Sequence, residues 1–453
     1  MKNPGFKAGV ARRVITPTTK VELAGLGYYL ERYWERVRDD IHATALVVTG
    51  SNDESIAIVA LDLMYNDEAF TASIRQQAAA KTGLDPQAIC VNCSHTHNAP
   101  TAGFIRGAGE QNPEYLQFAA RQAADAIVEA WQNRKPARIS VGHSEVPGLT
   151  FNRTREGGPV DKRLSVLRIE SPKEEPISAV INFHSHCTAH MEVDLRAISR
   201  DWPGEVVDRF AKAFPGTIAL YVQGTAGDVN VLRKFASTDL RFEPAKQITA
   251  AAFEAWLTAT PLKNTTVSYA SAHVELPTRP WTRSEVSTVR DEALHRQKTS
   301  DTKGWLTGFA RAAVGQPERL ALRYGGSEVK AIAALARFGV EWSDEVLPTL
   351  GGPAKAVNAE VQALRIGDVY FAAHPSELFT KFGLDLRERS SAKDLFVLGY
   401  TNGSIGYVPD EYEIERGGYG ALQSPKFTGQ CPFVDHAGDA LVTGLLQMLE
   451  QAR

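Results

Sequence analysis

Five of the eleven histidines of this 453-residue chain fall in two short runs, Ser94-His95-Thr96-His97-Asn98 and His184-Ser185-His186-Cys187-Thr188-Ala189-His190. Each run directly follows an apolar stretch of strand character, ICVNC before the first and ISAVINF before the second. In extended backbone, residues i and i+2 face the same way, so each H-x-H can aim two imidazoles at one point beyond a strand end. Open α/β sheets place their sites at such ends. Neutral imidazole suits Zn²⁺ best among the common biological ions. One H-x-H alone fits hydrogen-bonded loop histidines better than it fits ligands, whereas two at equivalent positions favour a metal site. A third segment, HPSELF, follows a strand and puts the carboxylate of Glu377 at an expected helix start, where the macrodipole tolerates negative charge. A helix-start carboxylate with no further role is the plainer alternative. No role is assigned to His184, His190 or His374.

The segment GTAGDVN follows the strand-like TIALYVQ, and its small residues let backbone approach a ligand closely. Asp228 is its only ionisable group. The segment lacks the Gly-Lys-Ser/Thr of a P-loop and the three-glycine spacing of a dinucleotide fingerprint. There is no G-x-S-x-G elbow and no H-E-x-x-H, so serine hydrolases and zincins lose their usual support. The pair Cys90-x-x-Cys93 lies in a strand running into a loop, with no helix after it and no second pair at zinc-ribbon spacing, which reads as structural.

The elements that must position these residues follow α/β grammar. Short β-branched runs (42–50, 55–63, 177–184, 217–224) alternate with helix-period stretches at 67–83 and 113–133. The strands show little alternation, which predicts helices on both of their faces and a layered domain with a mixed β-sheet. No linker or internal repeat divides the chain, so residues 1–453 are expected to form one domain. The stretch 280–341 breaks the alternation and reads as a helical insertion. Its apolar positions Leu294, Trp305, Leu306, Phe309, Ala313, Leu320, Leu322, Ala331, Ile332 and Leu335 suit ordinary core packing, or in part the mouth of a substrate pocket. Strands resume at 359–375, with Gly367-Asp368 as a hairpin turn.

Composition sets the class. Hydrophobic residues at 43% and charged residues at 23% exclude disordered, collagen-like and coiled-coil chains. A net charge of −3 without a basic tract argues against nucleic acid as a partner. Four cysteines suit a reducing compartment rather than a disulfide framework. With no apolar stretch suited to a signal or a membrane span, a soluble cytoplasmic protein without stable membrane insertion is expected. The oligomeric state is not legible.

In order along residues 6–420, the blocks FKAGVARRVITP, DDIHATALVV, CSHTHNAPTAG, FNRT, HSHCTAHM with SRDWPG, QGTAGDVN, ALRIGDVYFAAHPSELF and YTNGSIGYVPDEYEIERGGYG resemble the neutral (alkaline, non-lysosomal) ceramidases. The S-H-T-H-N-A-P run is the most specific of them. The resemblance implies zinc ligands at His95, His186, Glu377 and Tyr407, with His97 and Arg153 close to the metal. It also matches a family tyrosine to Tyr419, across a stretch about two residues shorter here. Where the family loop reads G-D-V-S-P-N, with a serine implicated in catalysis, this chain has Asp228, Val229 and Asn230. Asparagine cannot act as an alcohol nucleophile. Only a short stretch ending in HAGDALVTGLLQMLEQ follows the GYVP segment, so the family's C-terminal β domain is not expected here.

Together these observations lead to a zinc-dependent hydrolase that cleaves an amide (N-acyl) or ester bond with a metal-activated water, acting on a small-molecule or acylated substrate. His97 or Asp228 would serve as base and then acid, Arg153 and Tyr407 would offset oxyanion charge, and Asn230 would hold a substrate oxygen. Two alternatives stand beside this reading. One is a non-catalytic zinc-holding binding protein. The other is an amidohydrolase-type enzyme, whose fold expects H-x-H at the first of eight strands, whereas at least two strands precede His95 here. Ceramide, another N-acyl compound and an acylated sugar all remain open as substrates.

Overall fold

The apolar runs extend where the sequence places them. In the computed structural model, which describes residues 5–25, 29–191, 193–302 and 321–453, they form one large mixed sheet. Its order across the sheet is Ile218–Gln223, Pro176–Phe183, Arg163–Glu170, Lys135–Glu145, Phe6–Val14, His42–Thr49, Ser55–Leu61 and Ile89–Cys93, with the short Thr260–Pro261 also beside Lys135–Glu145. The two outermost pairs are parallel and the inner ones antiparallel.

Side chains alternate between two faces. Along His42–Thr49, Ala43, Ala45 and Val47 point toward the helices Glu68–Thr82 and Pro113–Gln132, while Leu46 and Val48 point the other way. The helices Asp201–Ala213 and Glu243–Leu257 cover the other half of the helical face through Trp202, Phe210 and Trp256.

The opposite face departs from expectation. Leu46, Val48, Ile58, Leu167 and Val180 pack on Leu364, Ile366, Phe371 and Phe396 of a second sheet. That sheet is ordered Val267–Leu276, Val357–Ile366, Val369–Ala373, Asp394–Leu398, and its outer face is covered by the helices Thr380–Arg389 and Ala437–Gln451. The layers therefore run helices, sheet, sheet, helices. An unbroken apolar strand requires only that both its faces leave water, and another sheet satisfies that as well as helices do. Each Val, Leu or Ile buried there contributes about 1.5–3 kcal/mol before the entropy of ordering is subtracted. The hairpin turn at Gly367-Asp368 is present, with Ile366 opposite Val369 and Gly367 at φ +61°.

In the 280–341 region, Arg283–Thr299 begins with a capping box between Thr282 and Glu285, and Glu328–Val346 begins at Ser327. The two helices run antiparallel, since Arg290 pairs with Asp344 at 2.9 Å while Ala293 lies against Gly339. Ala331, Ile332 and Leu335 pack with Trp281, Trp342 and Phe427, as the core reading expects. Leu294 is half-buried and Leu322 exposed, and Trp305, Leu306, Phe309, Ala313 and Leu320 lie outside the described residues. Among the described residues no helix is long and apolar enough to cross a membrane.

Chain ends of several strands meet at one point. Asn92 accepts from the Gln223 N–H at 2.8 Å and donates to the Gly399 carbonyl at 2.7 Å, while Cys93 N–H donates to the Tyr400 carbonyl at 3.0 Å. The loops leaving Ile89–Cys93, Ile218–Gln223 and Asp394–Leu398 are thus tied together, and the histidine runs lie beside this knot.

Candidate metal centre

After Cys93 the chain turns instead of continuing extended. His95 takes φ +65°, the left-handed region that a β-carbon disfavours, while its N–H donates to the Leu63 carbonyl at 2.9 Å. The turn brings His95 Nε2 and His97 Nε2 within 3.3 Å of each other. The two imidazoles of this run do converge, but by a strained turn and not by the extended i, i+2 geometry. In the second run only His186 joins them. His184 turns away, taking the Thr225 N–H on Nδ1 at 3.1 Å and placing Nε2 beside Asp161 and Arg387. His190 is buried against Phe242, and His374 Nδ1 pairs with the Ser376 hydroxyl at 2.9 Å. Identical spacing therefore has two outcomes, because the backbone has left the strand before the second histidine of either run.

The tautomers follow from the partners. His95 Nδ1 donates to the Met64 carbonyl at 2.9 Å, His97 Nδ1 to the Gly25 carbonyl at 2.8 Å, and His186 Nδ1 to the Ala226 carbonyl at 2.6 Å. A carbonyl can only accept, so each Nδ1 carries the proton and each Nε2 presents a lone pair. Donor atoms of the three rings, all buried, lie within 4.8 Å of one another. Glu377 Oε2 stands 3.4 Å from His95 Nε2 and 3.3 Å from His186 Nε2, and it accepts no hydrogen bond. Three lone pairs and an unsatisfied carboxylate oxygen aimed at one buried point repel one another unless a cation sits among them. The donor set, imidazole nitrogen with carboxylate oxygen, fits a borderline divalent metal. The carbonyl partners also supply the outer support that orients ligating imidazoles.

Burial lowers the His97 pKa well below the ordinary value, helped by the neighbouring imidazoles, and lowers His186 to about 4, helped by Arg153. Burial pushes the Glu377 carboxyl up, but His95 and His186 reverse this and hold it well below the usual range. Near neutral pH, His97 and His186 are thus neutral and Glu377 is ionised.

Glu377 belongs to a two-residue strand, Glu377–Leu378, paired with Tyr407–Val408, and the helix begins only at Thr380. The helix-start placement is therefore corrected. Apolar Leu378 and Phe379 are pulled into the core, and that delays the helix. The pairing sets Tyr407 beside Glu377, with its hydroxyl 3.2 Å from His186 Nε2. Arg153 Nη2 donates to the same hydroxyl at 2.7 Å and to the Gly227 carbonyl at 2.7 Å. Burial opposes the Arg153 charge, yet Tyr407 and Glu377 outweigh it and leave the guanidinium pKa raised. Tyr419 meets Tyr407 edge-on at 5.4 Å, and burial, then Glu377, push its phenol up to about 12.

Asp228 is placed differently from a general base. Its Oδ1 accepts from Thr380 N–H at 2.8 Å and Oγ1 at 2.7 Å, and its Oδ2 accepts from Asn152 at 2.6 Å. Burial raises its pKa against these bonds. With both oxygens engaged it is a strut that ties the GTAGDVN loop to Thr380, a role a lone acidic residue in a glycine loop does not announce. Asn230 lies in Val229–Val231, bridged to His186, and its side-chain oxygen is buried without a donor. Sequence reasoning passed over Tyr400, whose ring lies 4.0 Å from that of His95, and the carbonyls of Gly25, Met64 and Ala226. Backbone acceptors carry no residue-type signal. All of Cys90, Cys93 and Cys187 are buried free thiols whose pKa burial raises, in line with a structural reading.

No family model and no curated protein matches the chain. Solved structures do. The neutral ceramidase from Pseudomonas aeruginosa aligns over 98% of this chain and 74% of its own, with TM-score 0.73 and 18% identity. A ceramidase complexed with C2 aligns over 99% of this chain and 75% of its own, with TM-score 0.71 and 16% identity. The chain has a neutral ceramidase-like fold.

Proposed function

We propose that this chain is a zinc-dependent hydrolase that cleaves an amide bond of an N-acyl compound, or an ester, in a small acylated substrate. The observation that carries the reading is the convergence of the unprotonated Nε2 atoms of His95 and His186 on the unsatisfied Oε2 of Glu377, with His97 Nε2 3.3 Å from that of His95. The structural likeness to two ceramidases adds support for the bond type. His95, His186 and Glu377 would hold the ion, with Tyr407 at its edge. Bound zinc brings the pKa of water to about 7 and polarises a carbonyl.

The chain's own groups then divide the work. His97, neutral and fixed by Gly25, accepts a proton at Nε2 and returns it to the leaving group. Arg153 and the Tyr407 hydroxyl it holds face the oxygen on which charge develops. The Asn230 side-chain oxygen accepts from a substrate N–H or hydroxyl. Asp228 and Tyr419 keep the loop and Tyr407 in place.

Elemental analysis of the purified protein should find about one zinc per chain, as one tetrahedral site implies. His95→Ala and His186→Ala should each lose it. Turnover of p-nitrophenyl esters or N-acyl substrates should vanish on chelation and return with zinc. Full zinc in both variants would sink the site, and zinc with no turnover across such a panel would leave a metal-holding binding protein.

A further inference from the structure

Close to the loop that orients His97 lies an arginine with an unmet donor. Arg32 is fully buried, its Nε donates to the Leu195 carbonyl at 2.6 Å, and its Nη1 donates to the Ala24 carbonyl at 2.8 Å. Its Nη2 reaches no acceptor. A guanidinium keeps its charge almost everywhere, and a buried one without a carboxylate is costly unless an anion completes it. The carboxylate in its vicinity, Asp194, is paired with Arg36 at 2.6 Å.

The surroundings add positive charge. Arg196 lies over the Tyr29 ring at 5.7 Å, and Tyr29 meets Tyr324 at 5.7 Å, next in sequence to Arg323. Burial, and then the charge of Arg323, lower the Arg32 pKa to about 9. On the other side, Ala24 is followed by Gly25, whose carbonyl accepts from His97 Nδ1 at 2.8 Å. Gly25 has φ +102° and no room for a β-carbon beside His97. The cationic cluster and the histidine centre therefore share one stretch of backbone.

We infer that Arg32, with Arg323 and the Tyr29–Tyr324 pair at its rim, forms an anion subsite, so that the acylated substrate carries a carboxylate or phosphate away from its scissile bond. The inference rests on the hydrolase reading for the word substrate, but not for the binding of the anion. It separates this chain from enzymes of neutral acyl lipids, since a neutral headgroup would leave Nη2 unmet. The planar fork of Arg32 suits a bidentate oxyanion.

Three probes test it: N-decanoylglycine, its neutral glycinamide, and N-decanoylethanolamine phosphate. Wild-type protein should favour one or both anionic probes over the amide by about tenfold or more in kcat/KM, mainly through KM. Whichever anion leads identifies the group. Arg32→Lys, which keeps charge but not the fork, and Arg323→Gln should each raise KM for the favoured anion at least about fivefold more than for the amide. Calorimetric titration of His95→Ala, expected to be inactive, reads the same preference without turnover. Anion-selective binding without turnover by wild type would uphold the subsite and overturn the hydrolase reading. Turnover of all three probes at similar KM, or an unchanged preference in both arginine variants, overturns the subsite and leaves the hydrolase reading intact. Should Arg32→Lys fail to fold, Arg323→Gln decides alone.

Discussion

His95 at φ +65° is a non-glycine residue in backbone that costs about 1–3 kcal/mol, and its surroundings hold it there through the Leu63 and Met64 carbonyls. The reward is an Nε2 aimed at His97, His186 and Glu377. Arg153 shows the same economy of direction, one guanidinium serving both the Gly227 carbonyl and the Tyr407 hydroxyl. A lysine lacks the second nitrogen, Nε, that also donates to the Gly227 carbonyl at 3.2 Å and fixes the direction of the group that reaches Tyr407. Arg153→Lys should therefore lower kcat by roughly 10²–10³-fold, the scale of losing an oxyanion donor, with zinc content unchanged. Steady-state kinetics beside elemental analysis checks this, and loss of zinc with the activity would make Arg153 part of the metal support instead.

Gly227 sits where two elements meet. A β-carbon there would lie 2.4 Å from the Glu377 carbonyl oxygen, and the Gly227 N–H donates to the Leu378 carbonyl at 3.0 Å. The loop after Ile218–Gln223 and the strand of Glu377 thus touch backbone to backbone, and Asp228 fastens the same junction to Thr380. Gly227→Ala must part the two, moving Glu377 away from the imidazoles. The expected result is a destabilisation of about 1–3 kcal/mol and weaker zinc binding, read by thermal melting and by competition with a chelator. Wild-type zinc affinity in a destabilised variant would separate the junction from the metal. This close approach was legible in the small residues of GTAGDVN, as the strand-end placement of both histidine runs was. What the pattern hid was which way the chain turns after each strand. His97 and His186 come in while His184 goes out, and that choice is made by Thr225, Asp161 and Arg387, far off in sequence. Glu377 was misplaced on a helix for a similar reason, since its partner strand at Tyr407 lies thirty positions on.

Across the whole molecule, alternating strands and helices made the layered α/β class readable, while the second sheet behind the first was not, because burial of a strand face does not say what buries it. The same dense interior buries histidines that must stay neutral. Burial lowers His184 to about 4 and His374 to about 3, from an ordinary 6.5. Above pH 6.5 neither folded nor unfolded chain protonates them, so they add no pH dependence. As pH falls below 6.5 the unfolded chain takes up protons that the folded chain refuses. Stability should then decline by roughly 1.4 kcal/mol per pH unit for each such histidine, until the folded values are reached. His374 is the cleaner probe, since its shift comes from burial alone and its Nε2 has no partner. Urea titrations of chelator-treated protein between pH 6 and pH 4.5 should show His374→Gln with a pH slope shallower than wild type by about that amount for one group. Metal loss does not enter, because both proteins are stripped beforehand. Parallel slopes for the two proteins would mean that His374 accepts a proton in the folded state, and the neutral interior drawn around the centre would then have to be redrawn at this residue.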